Sequence, residues 1–251
     1  MLTRAVLGAA ACSAVTAEIR LGPCAGERSL ATKLLDDMMR DKPDGGGRSE
    51  SALDGGIPAV VVPLEAIEAC ATALRFSPRV LSLSVDAAVA ERHASRATLT
   101  LADVLPSARA RLKHLGLART GAVDDAAANR LLDAMAAAPL PLASIELSGG
   151  SLPSGAVGEL TALLGTEASR EGLRSLSLAG NKASGLSREL PAQLTTLRAL
   201  EHLDLAHCGL DCSRVLGALA ASPRLIDRLV TLILTGNKLD ALSADLLAQI
   251  G

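Results

Sequence analysis

The 251-residue chain is 49% hydrophobic and 21% charged, which supplies ample apolar surface for a packed core. Its formal net charge is −2, no Lys/Arg cluster stands out, and Phe76 is its one aromatic residue among Phe, Trp and Tyr; this excludes the basic footprint and the stacking platforms on which nucleic-acid binding relies. Its five cysteines, Cys12, Cys24, Cys70, Cys208 and Cys212, are odd in number and show no framework spacing, so they read as reduced thiols of a cytoplasmic protein.

Residues 1–17, MLTRAVLGAAACSAVTA, carry one positive charge, an apolar run and a Val15-Thr16-Ala17 end, the pattern of a secretory signal. The run is too short to span a membrane as a helix, and no longer one follows. A second reading of the same residues has Thr16, Ile19, Leu21 and Cys24 opening a structural unit, with the apolar run as the helix of an earlier one. Leu30, Leu34, Leu35, Met38 and Met39 then keep a helical period over 29–40, with Ser29 as N-cap. Residues 41–56, DKPDGGGRSESALDGG, read as a flexible Gly-rich insertion. Gly45 to Gly47 do not read as a phosphate cradle, because no Gly-Lys-Ser/Thr follows and no strong strand precedes. Ile57, Val60 and Val62 are expected to form a strand, 64–75 a helix, and Val80, Leu83 and Val85 a further strand with Ala88 in the turn beyond it.

From residue 111 onward one pattern recurs. LKHLGLARTGA, LASIELSGGSL, LRSLSLAGNKA, LEHLDLAHCGL and LVTLILTGNKL begin at Leu112, Leu142, Leu173, Leu200 and Leu229. Each is apolar at positions 1, 4 and 6 and carries Thr, Gly, Asn or Cys at position 9. Counting from Val80, successive starts lie 32, 30, 31, 27 and 29 residues apart, room enough for a full α-helix between strands. Apolar residues at i, i+3 and i+4 place those helices over 124–137, 156–164, 187–197, 213–220 and 243–250. Asn181, Cys208 and Asn237, at position 9, are expected to form a buried ladder that bonds the backbone of tight turns.

This template is that of a leucine-rich repeat, and its strand-plus-helix lengths resemble the ribonuclease-inhibitor-like class. The resemblance spans roughly Thr16 to the end. It implies an α/β solenoid in one domain over 1–251, with degenerate repeats in 1–110 and clear ones in 111–251. Adjacent strands need about 4.8 Å and packed helices about 8–10 Å, so the stack should curve into a horseshoe with parallel strands on the concave face and α-helices on the convex face. The class implies a non-enzymatic protein–protein interaction module without cofactor. The irregular lengths are similar to the actin-regulatory CARMIL-type array, which implies a role in cytoskeletal regulation; the pleckstrin-homology-like domain, capping-protein-binding motif and proline-rich tail expected around such an array are not visible in the sequence. A GTPase-activating module of the Ran type would carry an acidic tract after its array, and the sequence has no acidic run. A secreted recognition ectodomain would require residues 1–17 to act as a signal.

Positions 3 and 5 should line the solvent face of the strands. Ser175 and Ser177 then neighbour His202 and Asp204, the residue types of a Ser-His-Asp relay, but a shallow strand face offers neither an oxyanion hole nor a pocket, and no catalytic residue is expected. His202, Asp204 and His207 match no zinc spacing, and Cys208 and Cys212 read as core thiols, so no metal site is expected either. The partner is expected to be another protein, contacted through Arg119, Glu146, Arg174, His202, Asp204 and His207. Without Tyr or Trp anchors, this segment alone should bind with modest affinity. The apolar residues Leu246, Leu247 and Ile250 have no following repeat to cover them in this sequence, so self-association through an uncapped end is a further expectation.

Overall fold

The computed structural model of the protein describes residues 17–21, 61–62, 67–68, 71, 74–75, 80–86, 88–89, 91–108, 112–118, 123–138, 142–150, 152–182 and 185–250. Within them, strands and helices alternate. Strands β1 (Ala17–Leu21), β3 (Val80–Asp86), β5 (His114–Ala118), β6 (Ser144–Ser148), β7 (Ser175–Ser177), β8 (His202–Asp204) and β9 (Thr231–Ile233) form one parallel sheet in that order. Strands β2 (Val61–Val62) and β4 (Ala88–Val89) form a separate parallel pair. The helices are α1 (Glu91–Val104), α2 (Asp125–Ala137), α3 (Val157–Leu164), α4 (Glu167–Gly172), α5 (Leu186–Leu194), α6 (Cys212–Ala220), α7 (Pro223–Ile226) and α8 (Ala241–Ile250).

Register follows from the apolar pattern. Leu83, Leu115, Ile145, Leu176, Leu203 and Leu232 pair across successive strands, so one row of side chains enters the core. All but Leu232 are buried; at the edge strand, Leu232 is half-buried. Leu117, Leu147, Leu178, Leu205 and Leu234 are also buried, and Leu112, Leu142, Leu173 and Leu200 line the strand entrances. A one-residue slip would turn these rows to solvent, which is what fixes the pairing. The ladder continues past the strands: the amides of Gly149, Gly180 and His207 donate to the carbonyls of Ala179, Ala206 and Thr235 at 2.8, 2.8 and 2.7 Å.

Helices α1, α2, α3, α5, α6 and α8 pack side by side in the same sequence as the strands. Their buried faces, such as Leu131, Leu132 and Met135 of α2 and Val215, Leu216 and Leu219 of α6, meet the leucine rows. Carboxylates and hydroxyls start them. Asp124 accepts from Ala127 N at 2.7 Å, Thr166 from Ser169 N at 3.3 Å and Asp240 from Ser243 N at 2.7 Å, each satisfying a donor that the first turn leaves without a partner. The Ala127 N–H holds the Asp124 carboxyl below the usual range, and the Ser243 hydroxyl together with its N–H does the same for Asp240.

Two expectations change. Val61–Val62 does not sit between the first and second strands of the main sheet, because β1 pairs directly with β3 and Val61–Val62 pairs with Ala88–Val89. Three spaced apolar residues specify a half-buried strand but not the sheet it joins, and Ala88, expected in a turn, is the partner. Helix α1 was not foreseen: its buried positions Ala94, Ala97, Thr98, Leu101 and Ala102 keep helical spacing, but mostly through small residues. At the far end, Leu246 is half-buried and packs against the core, Val230, Leu239 and Leu242 are exposed, and the side chains of Leu247 and Ile250 lie outside the described residues. The expected helix over 29–40, the insertion over 41–56 and residues 1–16 lie outside the described residues; Ala17 opens a strand. Among the described residues, no helix is long and apolar enough to cross a membrane.

Candidate functional site

The helices cover one face of the sheet and leave the other to hydroxyls, histidines and carboxylates. Two rows form it, in register. One runs Ser82, His114, Ser144, Ser175, His202 and Thr231; the other runs Ser84, Gly116, Glu146, Ser177, Asp204 and Ile233. Most are half-buried, with His202 and Ile233 exposed. Short side chains dominate, so a partner's backbone could approach closely and little rotamer entropy would be lost on contact.

Neighbours in these rows bond one another. His114 Nδ1 meets Ser144 Oγ at 2.9 Å and His202 Nδ1 meets Thr231 Oγ1 at 3.1 Å. Ser177 donates to Asp204 Oδ2 at 3.3 Å, Ala206 N to Asp204 Oδ1 at 3.0 Å, and Ser148 to Glu146 Oε1 at 3.3 Å. Ser175, His202 and Asp204 are therefore neighbours that do not form a relay: the imidazole turns to Thr231, and the carboxylate is engaged by Ser177 and its own turn. Among the described residues, no three His, Cys, Asp or Glu side chains converge to hold a metal ion.

Of the six residues expected to meet a partner, the five described ones fall into three groups. Glu146, His202 and Asp204 stand on the open face, with Glu146 two strands, or about 10 Å, from Asp204. Arg174 lies at the entrance of β7, in an ion pair of 2.6 Å with Glu201, so its charge is already matched locally; such an exposed pair adds about 0–1 kcal/mol to stability. His207 lies in the turn after β8 with φ 56°, in the left-handed region, and its ring covers Gly236. Arg119 lies outside the described residues.

The turns beneath His207 hold the ladder. Asn181 is fully buried; its Oδ1 accepts from Leu152 N at 3.0 Å and its Nδ2 donates to Leu147 O and Leu178 O. Asn237 repeats the pattern with Leu210 N, Leu205 O and Leu234 O. The Cys208 thiol points to Leu178 O at 3.1 Å and Ala206 O at 3.4 Å. Burial pushes the Cys208 and Cys212 thiols up, away from the thiolate that reacts.

One feature of the face was missed in the sequence. A methyl group on Gly116 would lie 3.1 Å from His114 Nε2, 3.2 Å from Ser84 Oγ and 3.3 Å from Glu146 Oε2. Three polar atoms thus fill the space above a buried glycine. The signal available was a glycine interrupting a row that otherwise carries side chains. No protein-family model matches the chain, and no curated protein matches it in sequence.

Proposed function

We propose that the chain is a leucine-rich repeat module of the ribonuclease-inhibitor-like class that binds another protein through its strand face and does not itself catalyse a reaction. The observation that carries this reading is the register of the open rows: the main-sheet strands β3, β5, β6, β7, β8 and β9 present their polar residues on one continuous face, while the leucines and the position-9 ladder serve the core and turns. Parallel strands backed by wider-spaced helices favour a horseshoe with that face inside. The reduced thiols fit a cytoplasmic setting, and the irregular strand-to-strand lengths fit a cytoskeletal partner.

The test is to place Arg at Ser175 or Ser177 on the face and Glu at Arg188 on helix α5, and to compare retention of a co-purifying protein. The reading expects retention to fall at least tenfold for the Ser variants at unchanged thermal stability and to persist for Arg188→Glu. Loss of retention through Arg188 alone would place the binding surface on the helices and sink the proposal.

A further inference from the structure

The side-chain chemistry changes at β9. At position 2 of the repeat the earlier units carry Lys113, Ala143, Arg174 and Glu201, but β9 is entered through Val230, which is 75% exposed. In the row that runs Ser84, Gly116, Glu146, Ser177 and Asp204, the residue on β9 is Ile233, also exposed. Neither position feeds the leucine rows of the core, so Val230 and Ile233 are not core residues left uncovered. Leu239, in the turn after β9, and Leu242, in the first turn of α8, are exposed as well; among the described residues, the one other large apolar side chain so exposed is Leu99 on α1. Apolar groups gathered in this way mark a contact surface. Arg228 and Lys238 share the stretch with Asp227, Asp240 and Asp245, so it favours neither a strongly cationic nor a strongly anionic partner.

The backbone is open at the same place, because β9 is an edge strand of the sheet. In the units before it, the position-6 amides Leu178 N and Leu205 N donate to Asp204 O and Ile233 O, both at 2.9 Å, and the position-2 carbonyl of Glu201 accepts from Val230 N and Thr231 N at 2.7 and 3.0 Å. The counterparts at β9 are Leu234 N–H and Val230 C=O, and among the described residues nothing bonds them. Thr231 and Ile233 turn their backbone groups to β8, so Leu232 between them presents both its N–H and its C=O outward. The edge thus offers two donors, Leu232 and Leu234, and two acceptors, Val230 and Leu232, arranged symmetrically about Leu232.

We propose that β9 pairs antiparallel with β9 of a second copy of the chain, about a two-fold axis at Leu232. The two Leu232 residues then exchange both backbone bonds, and Leu234 N–H of each copy donates to Val230 O of the other, which uses every open group named above. With the axis normal to the sheet, the helices of both copies stay on one side, and the exposed apolar residues around β9 meet their counterparts. Such an isologous contact closes at two copies. It goes beyond the strand-face reading and leaves Glu146, His202 and Asp204 to another protein. A strand of a different protein could add to the same edge, but only a second copy matches the self-complementary order of donors and acceptors and repeats the apolar residues beside it.

The test is sedimentation equilibrium of the full chain over a concentration series, with hydrogen exchange read at single amides. The chain is expected to pass from monomer to dimer and to stop there, and the Leu232 and Leu234 amides should exchange at least tenfold more slowly in the dimer. Val230→Lys should weaken dimerisation at least tenfold and Leu242→Glu at least fivefold. Leu99→Lys, a like change at the exposed apolar residue of α1, and Ser175→Arg, on the open face, should leave it unchanged. Leu242→Glu keeps the test open if Val230→Lys lowers the melting temperature. A monomer at every concentration, growth beyond two copies, equal weakening by Leu99→Lys and Val230→Lys, or a dimer whose Leu232 amide exchanges as fast as in the monomer would each overturn the assignment.

Discussion

Two neighbouring turns solve one backbone problem with different residues. In the turn around Gly180 and Asn181, a glycine adopts φ 77° and an amide makes three bonds to backbone. In the turn around His207 and Cys208, a histidine adopts φ 56° and a thiol donates toward two carbonyls. The first arrangement suits the geometry at every level. The second sets a side chain in the left-handed region, where a Cβ costs about 1–2 kcal/mol, and replaces an amide with a weak donor that cannot serve a neighbouring N–H as well. What the second turn gains is a ring lying over the next turn: a methyl on Gly236, at φ 74°, would collide with the His207 ring. The comparison teaches that Gly236 is held by the side chain of the turn before it as well as by its own torsion, whereas Gly180 meets the backbone of Gly149.

The strongest way to break this comparison is at Asn181. Asn181→Ala leaves Leu152 N–H and two carbonyls to find other partners in a buried site, and should cost about 3 kcal/mol in chemical denaturation. The same change at the half-buried Asn237 should cost less, because water can reach the vacated groups. Equal losses would mean that burial does not set the cost.

Next comes the coupling between the turns. Gly236→Ala should cost about 2 kcal/mol from torsion and collision together. His207→Gly should by itself gain up to about 1 kcal/mol. In the double variant the collision is gone, so the Gly236→Ala penalty should shrink toward its torsional part; strict additivity in the double-mutant cycle would show that the ring does not hold Gly236.

A smaller effect is expected on the helix side. Glu159 of α3 has its carboxyl raised above the usual range by a hydrogen bond and charge repulsion from Asp133 of α2. The folded state therefore holds a proton that the unfolded chain releases, so the pair weakens the fold at neutral pH. Stability should rise as pH falls through the raised folded value, with the gain complete below the ordinary Glu range. Asp133→Asn should stabilise the protein near pH 7 and flatten this response in thermal melts across pH 4 to 7. Asp124 and Asp240 act with the opposite sign: their caps are present above the ordinary Asp range and fade as pH falls through their lowered values.

Much of the parallel sheet was legible because its information is local. Leucines at fixed offsets, and Asn or Cys in the turn, each occupy a site where only a few residue types fit, so the strands from Leu112 onward could be placed from the letters alone. The pairing of β1 with β3 was not legible, since it joins residues separated by a long intervening segment and depends on where that segment goes. Helix α1 hid behind alanines, which mark a buried face less clearly than leucines do. The face was legible as a row of polar positions, but not its internal pairings. His202 could have turned to Asp204 or to Thr231, and Arg174 could have stood alone or met Glu201; rotamers decide these, and spacing does not encode them. The close packing of side chains over Gly116 is the extreme case, because its key residue contributes an absence.

The ladder has a direction. Asn181 reaches back 29 residues to Leu152 and 34 to Leu147, and Asn237 reaches back 27 to Leu210 and 32 to Leu205. Each of these turns is completed by a side chain that is synthesised later. A nascent chain emerging from a ribosome therefore cannot close the turn at Leu147 until Asn181 is also outside the exit tunnel, and each advance of the ribosome by one such interval completes the structure behind the newest segment rather than the segment itself.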